Sequence, residues 1–168
     1  MNNKTIVIIP TYNEVENISR IIDLIILENQ HIDVLVVDDN SPDDTASLVV
    51  QKQNSYPDRV FLIKRLHERG LGTAYIDGFK WSLKNKYDFI ISMDADFSHN
   101  PNELPKMLDN LHAGVDVVIG SRYINGVSVV NWPIGRILLS YFAQIYVKLI
   151  TSMPIKDPTS GFVAYKAK

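Results

Sequence analysis

Residues 89–103 read Phe89-Ile90-Ile91-Ser92-Met93-Asp94-Ala95-Asp96-Phe97-Ser98-His99-Asn100-Pro101-Asn102-Glu103. An apolar run ends on two carboxylates one residue apart. Asn100-Pro101-Asn102-Glu103 then has the form of a helix start, with Asn100 as N-cap and Pro101 in the first turn. A continuous apolar run suits a strand buried on both faces, as in a parallel sheet. The same grammar recurs outward in both directions. Further runs lie at residues 5–9, 34–37, 60–63 and 115–119, and the first is expected to end at Pro10. Ile18, Ile21, Ile22, Ile25 and Ile26 fall at helical spacing, and residues 72–85 form another helical stretch. Ser41-Pro42-Asp43-Asp44 reads as a helix start with Ser41 as N-cap and Pro42 at N1. Strand and helix alternation predicts an α/β domain, doubly wound, with a mostly parallel sheet sandwiched by helices. In such sheets ligands bind beyond the carboxyl ends of the strands. Four of those ends carry polar residues, at 11–14, 38–40, 94–96 and 121–122.

The 168 residues are 46% hydrophobic and 21% charged, ordinary values for a folded globular domain. A net charge of −2 offers no basic footprint for nucleic acid. With no cysteine, disulfides, thiolate metal sites and cysteine nucleophiles are excluded. The apolar run at the N-terminus is too short for a signal peptide, and no stretch reaches the roughly 18 apolar residues of a membrane span. Residues 137–150 are mostly apolar, broken by Ser140, Gln144 and Lys148. They read as a core helix or as a helix touching a membrane surface or lipid tail. The chain stops just after a strand-like stretch at 161–166, so it is read as a single domain over 1–168, truncated at its C-terminus.

Asp94 and Asp96 at a strand end can face one divalent cation. Mg²⁺ and Mn²⁺ prefer such oxygen ligands, and the ion can bridge a diphosphate. An acid in Asp38-Asp39 could accept hydrogen bonds from a base or ribose, or the stretch could serve the helix start with Ser41 as cap; both hold if Ser41 caps while Asp39 binds. Tyr12 can stack on a base and Glu14 can accept a hydrogen bond. Arg65 and the Gly-rich turn Arg69-Gly70-Leu71-Gly72 could approach a phosphate at a helix N-terminus. That turn matches neither the dinucleotide fingerprint nor a P-loop. Arg122 and Arg136 carry guanidinium forks suited to phosphate oxygens. The histidines at 31, 67, 99 and 112 show no metal-ligand spacing.

These blocks together resemble the inverting glycosyltransferases of the GT-A fold, and most closely the dolichyl-phosphate (polyprenyl-phosphate) mannose synthases. The matching stretches are IPTYNEVEN at 9–17, VVDDNSPDDT at 36–45, RGLGTAYIDG at 69–78, MDADFSHNP at 93–101, GSRYINGV at 120–127, NWPIGR at 131–136 and DPTSGFVAY at 157–165. The resemblance implies that Pro10, Tyr12, Glu14, Val37 and Asp39 hold the nucleoside, and that Asp94 and Ala95 contact the nucleotide-sugar. It makes Asp96 the main ligand of a Mg²⁺ or Mn²⁺ cofactor, with Asp94 beside it and Ser98 standing where some members have a Gln. Arg122 would touch the donor or a phosphate, and Arg136 with Ser140 would hold the acceptor phosphate. Asp96, Arg122 and Arg136 would carry the catalysis. Two departures matter. Val163 stands where a family Arg is common, and the basic donor-contacting motif of the family is expected beyond Lys168, where the sequence ends.

The implied reaction moves mannose from GDP-mannose to a dolichyl or polyprenyl monophosphate with inversion. The implied place is peripheral, at the cytosolic face of a membrane. Two alternatives stay open: a related glycosyltransferase using UDP-glucose or another donor with a lipid-phosphate or saccharide acceptor, and a non-catalytic nucleotide-binding protein.

Overall fold

Apolar side chains alternate between the two faces of the central strands, and both faces are dry. In β1 (Thr5–Thr11), Val7 and Ile9 join one apolar layer while Ile6 and Ile8 join the other. In β2 (Ile32–Asp38), Val34 and Val36 divide from Leu35 and Val37 in the same way. Burial on both faces is why the sequence shows unbroken apolar runs rather than alternation. The computed structural model describes residues 3–67, 70–121, 143, 145–147, 149–152, 157 and 159–167.

β3 (Val60–Lys64), β4 (Phe89–Ser92), β5 (Val117–Ile119) and β6 (Val163–Lys166) complete a six-stranded sheet of order β3-β2-β1-β4-β6-β5. β1 pairs in parallel with β2 and β4, and β2 pairs in parallel with β3. β6 is antiparallel to both its neighbours, β4 and β5. The sheet is therefore mostly parallel, as expected, with one reversed strand. The chain steps outward from β1 to β2 and β3, then returns to the other side of β1 as β4. That reversal creates a switch point between the carboxyl ends of β1 and β4, where open α/β sheets bind ligands.

Three helices serve the Val7 face: α1 (Ile18–Glu28), α2 (Thr45–Ser55) and α4 (Leu104–His112). α1 buries Ile18, Ile21, Ile22, Ile25 and Ile26, the full stripe seen in the sequence. α3 (Leu71–Lys84) covers the opposite face and buries Ala74, Gly78 and Ser82. A Cβ at Gly78 would lie 2.6 Å from Ile8 Cγ2, so small side chains let this helix sit close to the sheet.

Several boundaries differ from expectation. β1 runs through Pro10 to Thr11. The Ile8 carbonyl accepts from Met93 beyond β4, and the Thr11 carbonyl accepts from Asp39 beyond β2. By alternation the missing Pro10 N–H would face β4, whose pairing with β1 has ended at Ser92. Ser41 does not cap a helix, since α2 starts at Thr45 after Asp44 in a left-handed conformation (φ 65°). The start at Asn100 holds: its side chain accepts from the Asn102 N–H at 3.1 Å and a single 3₁₀ turn, Pro101–Glu103, leads into α4. Of the apolar stretch 137–150, residues 143, 145–147, 149 and 150 are described, and they are helical.

Candidate active site at the carboxyl edge of the sheet

The loops after β1 and β2 are stitched together by hydroxyl and carboxylate groups. Asp38 is fully buried and accepts from Thr11 Oγ1 at 3.0 Å, from the Ser41 N–H at 3.0 Å and from the Ser41 hydroxyl. Ser41 Oγ in turn accepts from the Asn13 N–H at 3.1 Å. The Glu14 N–H donates to Thr45 Oγ1 at 3.0 Å and the Val15 N–H to Asp43 Oδ2 at 3.1 Å. Burial pushes the Asp43 carboxyl up, but the Thr45 hydroxyl and the N–H groups of Val15 and Thr45 outweigh it and hold the group below its ordinary value. On this frame Tyr12 stands half exposed (47%), and Glu14 Oε2 accepts from Asn17 Nδ2 at 3.0 Å.

Asp39 faces the opposite way, into the turn before α3. Its Oδ1 lies 3.0 Å from Arg65 Nη1, and its Oδ2 accepts from the Gly70 N–H at 2.8 Å. Arg65 also donates to Thr73 Oγ1 at 2.6 Å and to the Gly70 carbonyl at 3.3 Å, and its Nε lies 3.2 Å from Asp77. Its side chain is 5% exposed. Arg65 is therefore a brace between the end of β2 and α3, with its guanidinium engaged by internal partners. The Gly70 N–H, expected to approach a phosphate, is taken by Asp39.

The loop after β4 carries the acid pair. Asp94 accepts from the Tyr75 hydroxyl of α3 at 3.1 Å. Asp96 is exposed and its Oδ1 accepts from the Ser98 N–H at 3.0 Å. Burial raises the Asp96 carboxyl, yet hydrogen bonds from the Ser98 side chain and N–H bring it below its ordinary value. Asp96 is thus ionised at neutral pH and accessible, as a cation ligand must be. Phe97 sits in the left-handed region (φ 58°), which is strained for an aromatic residue. Its ring packs on the core and lies under the Arg20 guanidinium at 5.1 Å. His99 stacks on Phe162 at 5.1 Å with a 16° interplanar angle. Gly120 allows this packing, since a Cβ there would meet the Phe162 ring at 2.4 Å. A cavity of about 390 Å³, lined by Tyr75, Ile76, Phe79, Gly161, Val163 and Tyr165, opens between α3 and β6.

The fold brings the residues expected from sequence to one edge in unequal states. Tyr12, Glu14, Asp94, Asp96 and Ser98 are exposed or partly so, and so is the ring of Pro10. Val37 and Ala95 are buried, with Val37 in the layer under α3, so neither offers a ligand an exposed side chain. Arg122, Arg136 and Ser140 lie outside the described residues. Sequence reasoning passed over Tyr75 and Gly161. The small residues at 74, 78 and 82 are the signal that could have found Tyr75, because they mark the face of α3 that meets the sheet. Gly161 has no such signal, since its approach to Asp94 depends on the return of β6.

The residues present fit a divalent cation carried on a nucleotide diphosphate. No group of three His, Cys, Asp or Glu side chains converges among the described residues. A protein-only cage is therefore not formed there, whereas one or two carboxylates plus substrate phosphates is the usual arrangement for Mg²⁺.

The family described as Glycosyl transferase family 2 matches residues 6–168. The chain is 44% identical over 163 residues to polyprenol monophosphomannose synthase of Mycolicibacterium smegmatis, covering 97% of this chain and 62% of that protein. It is 39% identical over 164 residues to undecaprenyl-phosphate mannosyltransferase of Micrococcus luteus, covering 98% and 67%. A mannosyltransferase of Pyrobaculum calidifontis, solved with GDP-Man and Mn²⁺, superposes with a TM-score of 0.66 at 23% identity, over 99% of this chain and 45% of that one. That likeness carries the GT-A fold. The chain spans about three fifths to two thirds of the length of the two sequence relatives.

Proposed function

The chain belongs to glycosyl transferase family 2, and from that premise we propose that it is the donor-binding part of an enzyme moving mannose from GDP-mannose to a polyprenyl monophosphate. The observation that carries this reading is its identity, along nearly its whole length, to two proteins named for mannosyl transfer to polyprenyl phosphates. The site supports it with suitable chemistry. Tyr12 and Glu14 offer a ring and a carboxylate for the nucleoside. Asp94 and Asp96 offer oxygens on the side of the diphosphate. Asp96 with Asp94, and Ser98 beside them, would hold Mg²⁺ or Mn²⁺, which when bound supplies positive charge to the departing GDP.

The acceptor oxygen attacks the anomeric carbon opposite GDP, so configuration inverts. A phosphate monoester with a second pKa of ~6 is already mostly ionised at neutral pH, and no strong general base is required. His99 accordingly acts as a brace: its Nδ1 accepts the Asp94 N–H at 3.3 Å. Arg136 with Ser140 is proposed for the acceptor phosphate and Arg122 for the donor. No helix of the described residues is long and apolar enough to cross a membrane. Ile145, Tyr146, Leu149 and Ile150 are 41%, 65%, 76% and 64% exposed, and these apolar side chains support contact with a lipid tail or membrane surface.

Asp96→Ala tests the reading. Transfer from GDP-mannose to polyprenyl phosphate should fall by about 100-fold or more, the scale of a lost charge-stabilising group. Turnover at the wild-type rate would remove Asp96 from the mechanism.

A further inference from the structure

Asp94 is held from three directions by parts of the chain far apart in sequence. Tyr75, from α3, donates its hydroxyl to Oδ1 at 3.1 Å. Gly161, at the entry to β6, comes so close that a Cβ would lie 3.0 Å from Oδ2. His99, from the loop that follows, has Nδ1 3.8 Å from Oδ2, and the same nitrogen accepts the Asp94 N–H. A ring nitrogen that accepts an N–H has no proton to give the carboxylate. Of these three neighbours, Tyr75 is the one that donates to it.

We propose that Tyr75 is a positioning residue of the donor site, fixing the Asp94 carboxylate so that its remaining lone pairs meet the nucleotide-sugar in one orientation. Tyr75 acts through Asp94 and is itself spent on that contact. The geometry suits the task, because α3 buries Ala74 and Gly78 against the sheet, with Gly78 held close to Ile8 of β1, the strand beside β4. Without the hydroxyl, Asp94 keeps its place in the chain but loses the donor that selects its rotamer. The inference rests on the reading above that Asp94 belongs to the donor site.

Two measurements on the whole chain test it together. Calorimetric titration with GDP-mannose and Mn²⁺ compares wild type, Tyr75→Phe, Asp94→Ala and the double variant, and crystal structures of wild type and Tyr75→Phe locate the carboxylate. Tyr75→Phe should weaken donor binding about 10-fold, the scale seen when an outer partner of a ligating group is lost. Its melting temperature should stay within about 3 °C of wild type. The carboxylate should leave its wild-type position, and the Phe substitution should add nothing once Asp94 is Ala. Wild-type affinity in Tyr75→Phe, equal weakening in both backgrounds, or an unmoved carboxylate overturns the positioning role. Wild-type donor affinity in Asp94→Ala overturns the donor-site reading instead, and the carboxylate position then decides the role of Tyr75.

Discussion

Asp38 and Asp39 are neighbours of identical chemistry with different duties, and the strand pleat separates them. Asp38 points among Thr11 and Ser41 and ties the ends of β1 and β2. Asp39 points into the turn before α3, against Arg65 and Gly70. Asp94 and Asp96 divide in a similar way, one gripped by Tyr75 and the other open to solvent. Gly161 limits the room left to Asp94. Its backbone lies outside the left-handed region, so Gly161→Ala acts through space rather than through backbone strain. The new methyl group should push the carboxylate aside and weaken GDP-mannose binding about 10-fold. Stability should change by about 1 kcal/mol, the low end for crowding in a packed site. Calorimetric titration and urea unfolding of the same variant separate the two effects, and unchanged affinity would show that Asp94 tolerates the displacement.

The first turns of α3 connect the two acid-bearing loops. Gly70 and Thr73 engage Asp39 and Arg65, and Tyr75 engages Asp94 one half-turn further on. The helix is itself pinned by the close approach of Gly78 to Ile8. Arg65 is the keystone of this arrangement, buried with partners on β2, the turn and the helix. Arg65→Met should cost about 3–5 kcal/mol, because it leaves the Asp39 carboxylate buried without its cation. Asp39→Asn in the same chain should recover part of that loss, since it removes the stranded charge. Urea unfolding of the two variants checks both statements. A loss below about 1 kcal/mol would mean that water reaches the turn and screens Asp39.

Titration of the whole molecule follows from groups displaced in opposite directions. Asp43 and Asp96 have folded values below the ordinary 3.8. Their stabilisation is present above the unfolded value and is lost as pH falls through the lower folded values. Tyr75 and Tyr87 are raised above the ordinary 10.0, each chiefly by burial and then by a carboxylate neighbour, Asp94 and Asp33 respectively. Above that pH the unfolded chain ionises its tyrosines while the folded chain does not, so stability drains away as pH rises. The urea midpoint should therefore decline below about pH 4 and again above about pH 10. A midpoint that kept rising into alkali would contradict the burial of these phenols.

The sequence by itself determined the doubly wound sheet, the isoleucine stripe of α1, the helix start at Asn100 and the family. Each is written in local order: apolar runs, helical spacing, a cap residue and blocks of motif. It also marked the loops that carry the chemistry, because a parallel sheet puts the ends of β1, β2 and β4 on one edge. Only the tertiary structure decided which side chains on those loops are spent on the fold. Asp38 and Asp39 look alike in the sequence until Thr11 and Ser41 are seen around the one and Arg65 and Gly70 around the other. Ser41 reads as a helix cap until the loop after β1 claims it. Tyr75 and Gly161 come to Asp94 from 19 residues before it in sequence and from the segment that enters β6, the antiparallel neighbour of β4, respectively. Such partners are set by packing across the sheet, and packing between distant segments leaves no local period for a sequence to display.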